Sequence, residues 1–314
     1  MNTLSNYELD KSIEELNTSI IEESFLKHYF GDNYTIVEDK ETQKKGIDFI
    51  GNKDDKQYKI DYKTPTDYFD KANRLRTWVI EVGNIYESTL RAGWGISQLD
   101  TTHYLWVKPI ANSTSNNKCY CFEIILVDKN VFISILTEYY KYVCKKMIPP
   151  EIIDAFDKDN EVPYNVSDKT RFIYNHAKFF INNTLRGYGV TSISDIGKSL
   201  LPFELEGIRL KISTQKVEHP LNIVVPWVLY QRLAEKFGWY HAIYCKYDNN
   251  WNLKDSWDID EYSDDLVVRY MDSSIGIGTG KQYINSIQQE ISPKALDEFM
   301  NIANKIYNET REGK

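Results

Sequence analysis

Apolar and polar positions alternate along the first 150 residues with two periods, and the order of those periods predicts the architecture. Residues 12–30, SIEELNTSIIEESFLKHYF, place Ile13, Leu16, Ile20 and Phe30 along one side at helical spacing, with Gly31 as the stop. Three short β-rich runs follow, at 34–39, 46–51 and 58–63, each bounded by polar residues or glycine, which predicts a meander. Further strands are predicted at 77–83, 103–108 and 120–127, the last closing the sheet. ESTLRAGWGISQ (87–98) reads as a helix or ordered loop. Residues 130–147 form a predicted helix ended by Pro149 and Pro150. Beyond them the pattern is less regular: helices at DKTRFIYNHAKFFINNTL, VVPWVLYQRLAEKFGWY and PKALDEFMNIANKIYN, and a strand at LVVRYM.

A chain of 314 residues has room for two ordinary domains. The prolines and the acidic segment after them put the expected boundary near residue 150, dividing 1–150 from an accessory domain at 151–314. The net charge of -8 makes the protein as a whole unattractive to polyanions, so any nucleic-acid contact is local. Cys119, Cys121, Cys144 and Cys245 lack paired metal spacing and read as reduced thiols. With no basic start, apolar leader or long apolar run, the expectation is a cytoplasmic protein with no membrane partner.

The polar residues inside the second and third strands break the apolar alternation. Asp61 and Lys63, two apart, project from one strand face, with Tyr62 on the other. Asp48 lies in the preceding strand, and pairing across the turn GNKDDKQ brings it to Asp61. Two carboxylates so placed suit Mg²⁺, which takes one or two carboxylates and leaves room for waters and phosphate oxygens. Lys63 would then orient water and stabilise developing charge. The simpler alternative is a half-exposed hairpin with a surface Asp–Lys pair of little energetic consequence.

The succession of a helix carrying glutamate, then GIDFI, then KIDYK, resembles the PD-(D/E)XK nuclease superfamily over roughly the first 110–130 residues. TWVIEV followed by GWGISQLDTTHYLWV is similar to its phage- and mobile-element-associated members. The resemblance implies an α/β fold: a restriction-endonuclease-like core with a central mixed β-sheet flanked by helices, followed by a C-terminal domain that is mostly α or α+β. It makes Asp48 and Asp61 the metal ligands and Lys63 the catalytic lysine, with Mg²⁺ as cofactor and Mn²⁺ as its substitute. No proline precedes Asp48, a departure from the superfamily's usual pattern.

The superfamily often adds a glutamate from the first helix. Projection at 100° per residue sets Glu23 beside Leu16, Ile20 and Phe30, and Glu22 away from them, so Glu23 is the candidate. Glu81 is a further acid that an edge strand also explains, and Gln43 a polar residue that a solvated turn also explains. Lys71, Arg74, Arg76 and Arg91 are the basic set nearest the site and the candidates for phosphate contact. Trp78, Trp94 and Trp106 read as core rather than as stacking surfaces. GIGTGK (276–281) fails the phosphate-loop spacing, because Ile275 stands at the first glycine's position and Gln282 follows the lysine. The five histidines include no pair at metal spacing.

The function implied is a metal-dependent endodeoxyribonuclease of restriction or mobile-element type, with DNA as partner. A nuclease fold that has lost activity and binds nucleic acid or protein is the alternative. Residues 151–314 are left open between DNA recognition, assembly into a homodimer and binding of a protein partner.

Overall fold

A computed structural model describes residues 18, 21–64, 77–86, 89–97, 99–112, 119–158, 162–187, 203–205, 207–212, 219–247, 250–255, 267–269, 277–279 and 291–312. The chain is a mixed α/β protein with two principal sheets. It forms two compact units, each gathered from three segments: residues 1–75, 100–128 and 234–288 in the first, and 76–99, 129–233 and 289–314 in the second. The division expected at residue 150 does not follow these units. Long-range strand pairing decides membership, and a local composition shift carries no information about it.

The first unit is built on a seven-stranded mixed sheet in the order β1-β2-β3-β6-β7-β11-β12. Its strands are β1 (Tyr34–Ile36), β2 (Phe49–Lys53), β3 (Lys56–Lys63), β6 (His103–Asn112), β7 (Cys119–Asp128), β11 (His241–Tyr247) and β12 (Asn250–Asp255). The predicted meander forms, since β1, β2 and β3 pair antiparallel in succession. Asp54 and Asp55, at φ 50° and 58°, make the two-residue turn between β2 and β3. Consecutive positive φ values match the twist of a hairpin, and aspartate tolerates them better than most residues. β3 then takes β6 as a parallel neighbour, the one parallel pairing of this sheet among the described residues.

β7 does not close the sheet as expected. It lies inside, with β6 on one side and β11 on the other. Helix α1, a π-turn over Glu22–Leu26 continued by Lys27–Phe30, lays Ile21, Phe25, Leu26 and Phe30 on one sheet face. There they meet Phe49, Ile60, Tyr62, Leu105, Val107, Phe122, Ile124, Leu126, Ala242 and Tyr244.

The second unit carries a five-stranded antiparallel sheet in the order β5-β4-β10-β9-β8. These strands are β4 (Thr77–Tyr86), β5 (Thr89–Ala92), β8 (Phe203–Leu205), β9 (Ile208–Ile212) and β10 (His219–Pro226). The strand expected at 77–83 therefore joins a different sheet from Asp61, and the segment 87–98 contributes strand β5 rather than a helix. Helices Lys129–Met147, Arg171–Gly187 and Pro293–Glu312 form close to where helical periodicity places them. Among the described residues no helix is long and apolar enough to cross a membrane.

Candidate metal and phosphate site

The segment entering β2 is fixed before it reaches Asp48. Asp39 caps a single helical turn, Lys40–Gln43, by accepting from the Thr42 N–H at 2.9 Å. The side-chain amide of Gln43 donates to the Val37 carbonyl at 2.9 Å. Gly46, at φ 74°, reverses the chain, and its carbonyl accepts the Thr101 hydroxyl. Gln43 thus serves as a tie within this turn.

Asp48 brackets Asp61 from the neighbouring strand. Its N–H donates to Ile60 O at 2.8 Å, and its Oδ2 accepts the Tyr62 N–H at 2.7 Å. Its carboxyl lies within hydrogen-bond reach of the Asp61 carboxyl. Asp61, 2 % exposed, accepts the Lys63 ammonium on Oδ1. Its Oδ2 is buried and has no hydrogen-bond partner among the described residues. Burial, the first cause, raises the Asp61 pKa to about 6; Lys63 opposes the rise and the Asp48 charge adds to it.

The parallel register extends the site onto β6. Asp61 pairs with Tyr104 and Lys63 with Trp106, so the four side chains share a face. Both aromatics are fully buried, and their rings stack with centroids 4.8 Å apart and planes 23° from parallel. Burial and the Asp61 charge hold the Tyr104 pKa well above its ordinary value, so the phenol keeps its proton. The same face carries Lys108 and Glu123, paired in register, and His241, whose Nε2 lies 2.8 Å from Glu123 Oε1.

Asp48, Asp61 and Lys63 are therefore brought together, whereas Glu23 is not buried with the core face of α1. Glu23 is exposed, and Ser24, Phe25 and Leu26 are the residues turned inward. The projection fails because a π-turn holds more residues per turn than the α-helix assumed. Glu22 is the half-buried acid, accepting the Tyr34 hydroxyl at 2.9 Å. Arg91 is exposed on β5 of the second unit, and Glu81 lies on β4 there. Lys71, Arg74 and Arg76 lie outside the described residues. Tyr104 was missed because alternation gives its face within β6 but not which strand β6 joins.

The donor set fits one small divalent cation. A buried carboxylate oxygen with no donor, beside a second carboxylate, offers what Mg²⁺ takes from protein. Among the described residues no three His, Cys, Asp or Glu side chains converge as a metal cage. No family model, no curated protein and no solved structure matches this chain.

Proposed function

We propose that the chain is a divalent-metal-dependent nuclease of the PD-(D/E)XK type, hydrolysing phosphodiester bonds in DNA from the site on β2 and β3. The observation that carries the reading is the convergence of Asp48, Asp61 and Lys63 around a buried carboxylate oxygen with no partner among the described residues. The surrounding topology is compatible with a restriction-endonuclease-like core. A helix covers an antiparallel meander, and the strand bearing Asp61 takes a parallel neighbour.

A Mg²⁺ or Mn²⁺ ion held by Asp48 and Asp61 would supply positive charge to a phosphate oxygen and acidify water. Lys63 places its ammonium beside Asp61, where it holds Oδ1 of that carboxylate and would face the negative charge that grows on the phosphoryl group. The Tyr62 N–H fixes Asp48, so neither carboxylate has to reorganise on ligand binding. Water attacks phosphorus as the bond to the leaving sugar oxygen breaks, and that oxygen takes up a proton.

Incubation of supercoiled plasmid with purified protein tests the reading. Mg²⁺ should support nicking or linearisation, excess chelator should stop it, and Asp61→Asn should abolish it. Metal-dependent plasmid binding without any strand cleavage would replace the enzyme with the inactive binding module.

A further inference from the structure

Resting on the nuclease reading, we infer that the open face of the second unit's sheet docks the phosphate backbone of the DNA substrate through Arg209 and Lys211 on β9. Alternation divides this sheet into a dry face and a wet one. Trp78, Ile80, Ile208, Leu210, Leu221 and Ile223 turn inward and are buried. Trp78 meets Trp227, the first residue of the helix Trp227–Phe237, with ring centroids 5.3 Å apart. The residues between them face the other way. Two cross-strand rows lie there: Val79 of β4, Val224 of β10 and Arg209 of β9, then Glu81, Asn222 and Lys211 on the same three strands. Val79 is 44 % exposed, and Arg209 and Lys211 are exposed, so both rows open to solvent. A third row sets the exposed Arg91 of β5 on the same face, three strand spacings or about 14 Å from β9.

The make-up of this face suits a polyanion better than a protein. Protein interfaces are built round apolar and aromatic anchors and are poor in lysine. Here Val79 is the one large apolar side chain exposed in the two rows. Backbone phosphates are held by cations and short polar side chains, the kind that Arg209, Lys211 and Asn222 supply. Arg209 and Lys211 stand two apart on one strand, about 7 Å from each other, with no ion-pair partner among the described residues. Glu81 and Glu204, the latter at the register position opposite Arg209, are the acids of these rows. Three cations against two acids make the face locally positive in a chain of net charge -8, and contact with a polyanion concentrates where that balance reverses.

Fluorescence anisotropy with a short labelled DNA duplex, in chelator so that no strand is cut, reads docking apart from chemistry. The full chain carrying Arg209→Gln and Lys211→Gln should bind about tenfold more weakly than wild type at about 50 mM salt. It should also flatten the slope of log affinity against log salt by about two, the loss expected for two phosphate contacts. Lys305→Gln with Arg311→Gln, exposed cations on the helix Pro293–Glu312, changes the net charge equally and should bind as wild type does. Should the sheet variant not fold, Lys211→Gln alone replaces it and should flatten the slope by about one. Equal losses in the sheet and helix variants, or no binding by wild type, overturn the docking face. Unchanged slope and affinity in the sheet variant overturn it too, and leave the face to an acidic protein partner. The nuclease reading fails separately, if wild type with Mg²⁺ nicks no plasmid or Asp61→Asn nicks it equally well.

Discussion

The two faces of the first sheet are buried to similar depth and differ in kind. One face presents Ile60, Tyr62, Leu105, Val107, Ile124 and Leu126 to helix α1. The other, one residue out of phase on the same strands, presents Asp61, Tyr104, Trp106, Lys108, Glu123 and His241, among which Asp61, Lys108 and Glu123 are no more than 2 % exposed. Each large side chain on the apolar face contributes about 1.5–3 kcal/mol by leaving water. Burying a carboxylate or an ammonium costs stability unless its partners compensate. The first face accounts for why the sheet folds. The second also buries Ile125, Val127 and Ile243, but sets among them charged groups whose burial the hydrophobic term alone does not favour.

The sharpest way to break the comparison is a pair of substitutions one residue apart. Asp61→Asn should lower plasmid cleavage by about a thousandfold or more, several kcal/mol of transition-state stabilisation, while leaving urea stability equal or higher. Ile60→Ala should do the reverse, costing about 2–5 kcal/mol of stability with the chemistry intact in whatever fraction stays folded. If both act on stability alone, the polar face has no special role.

Protonation sharpens the contrast at somewhat smaller cost. Asp61 keeps its proton in the folded chain up to about pH 6, whereas the unfolded chain releases it near 3.8. Between those values the folded state binds the extra proton, so Asp61 lowers stability as pH rises, by about 3 kcal/mol across the window. His103 works in the opposite sense. Burial and Lys56 hold its pKa near 4 against the usual 6.5, so its contribution is lost as pH falls through that range. Wild type alone mixes the two slopes, and the difference from Asp61→Asn isolates the first. That variant should gain about 2–2.5 kcal/mol more over wild type at pH 7 than at pH 4, read from urea melts at each pH.

Elsewhere on the polar face, Glu123→Ala removes the carboxylate that His241 bonds and should cost about 3 kcal/mol in the same melts. The smallest effect belongs to the candidate that lies outside the cluster. Glu23→Ala should leave the cleavage rate within about twofold, as expected of an exposed side chain.

Local order in the sequence carried much of this site. The alternation around Ile60, Asp61, Tyr62 and Lys63 gives the face of each residue, and the short polar turn at Asp54 and Asp55 returns β3 alongside β2, so Asp48 and Asp61 must meet. Non-local pairing was not readable. Nothing near residues 241–255 marks them as the continuation of a sheet begun at residue 34, or marks 77–86 as part of another. Glu23 was misjudged for a local reason, a π-turn whose departure from 100° per residue is absent from the apolar pattern. Trp106 read correctly as buried, but only the parallel register with β3 sets it and Tyr104 beside the acids.

The central claim is that Asp48 and Asp61 act as one ligand pair, and a double-mutant cycle on cleavage rate tests it most directly. Asp48→Asn and Asp61→Asn should each abolish nearly all Mg²⁺-dependent plasmid cleavage, and the double variant should be no slower than either, because removing one member already disables the unit. Near-wild-type cleavage by either single variant, or losses that simply add in the double, would contradict the account.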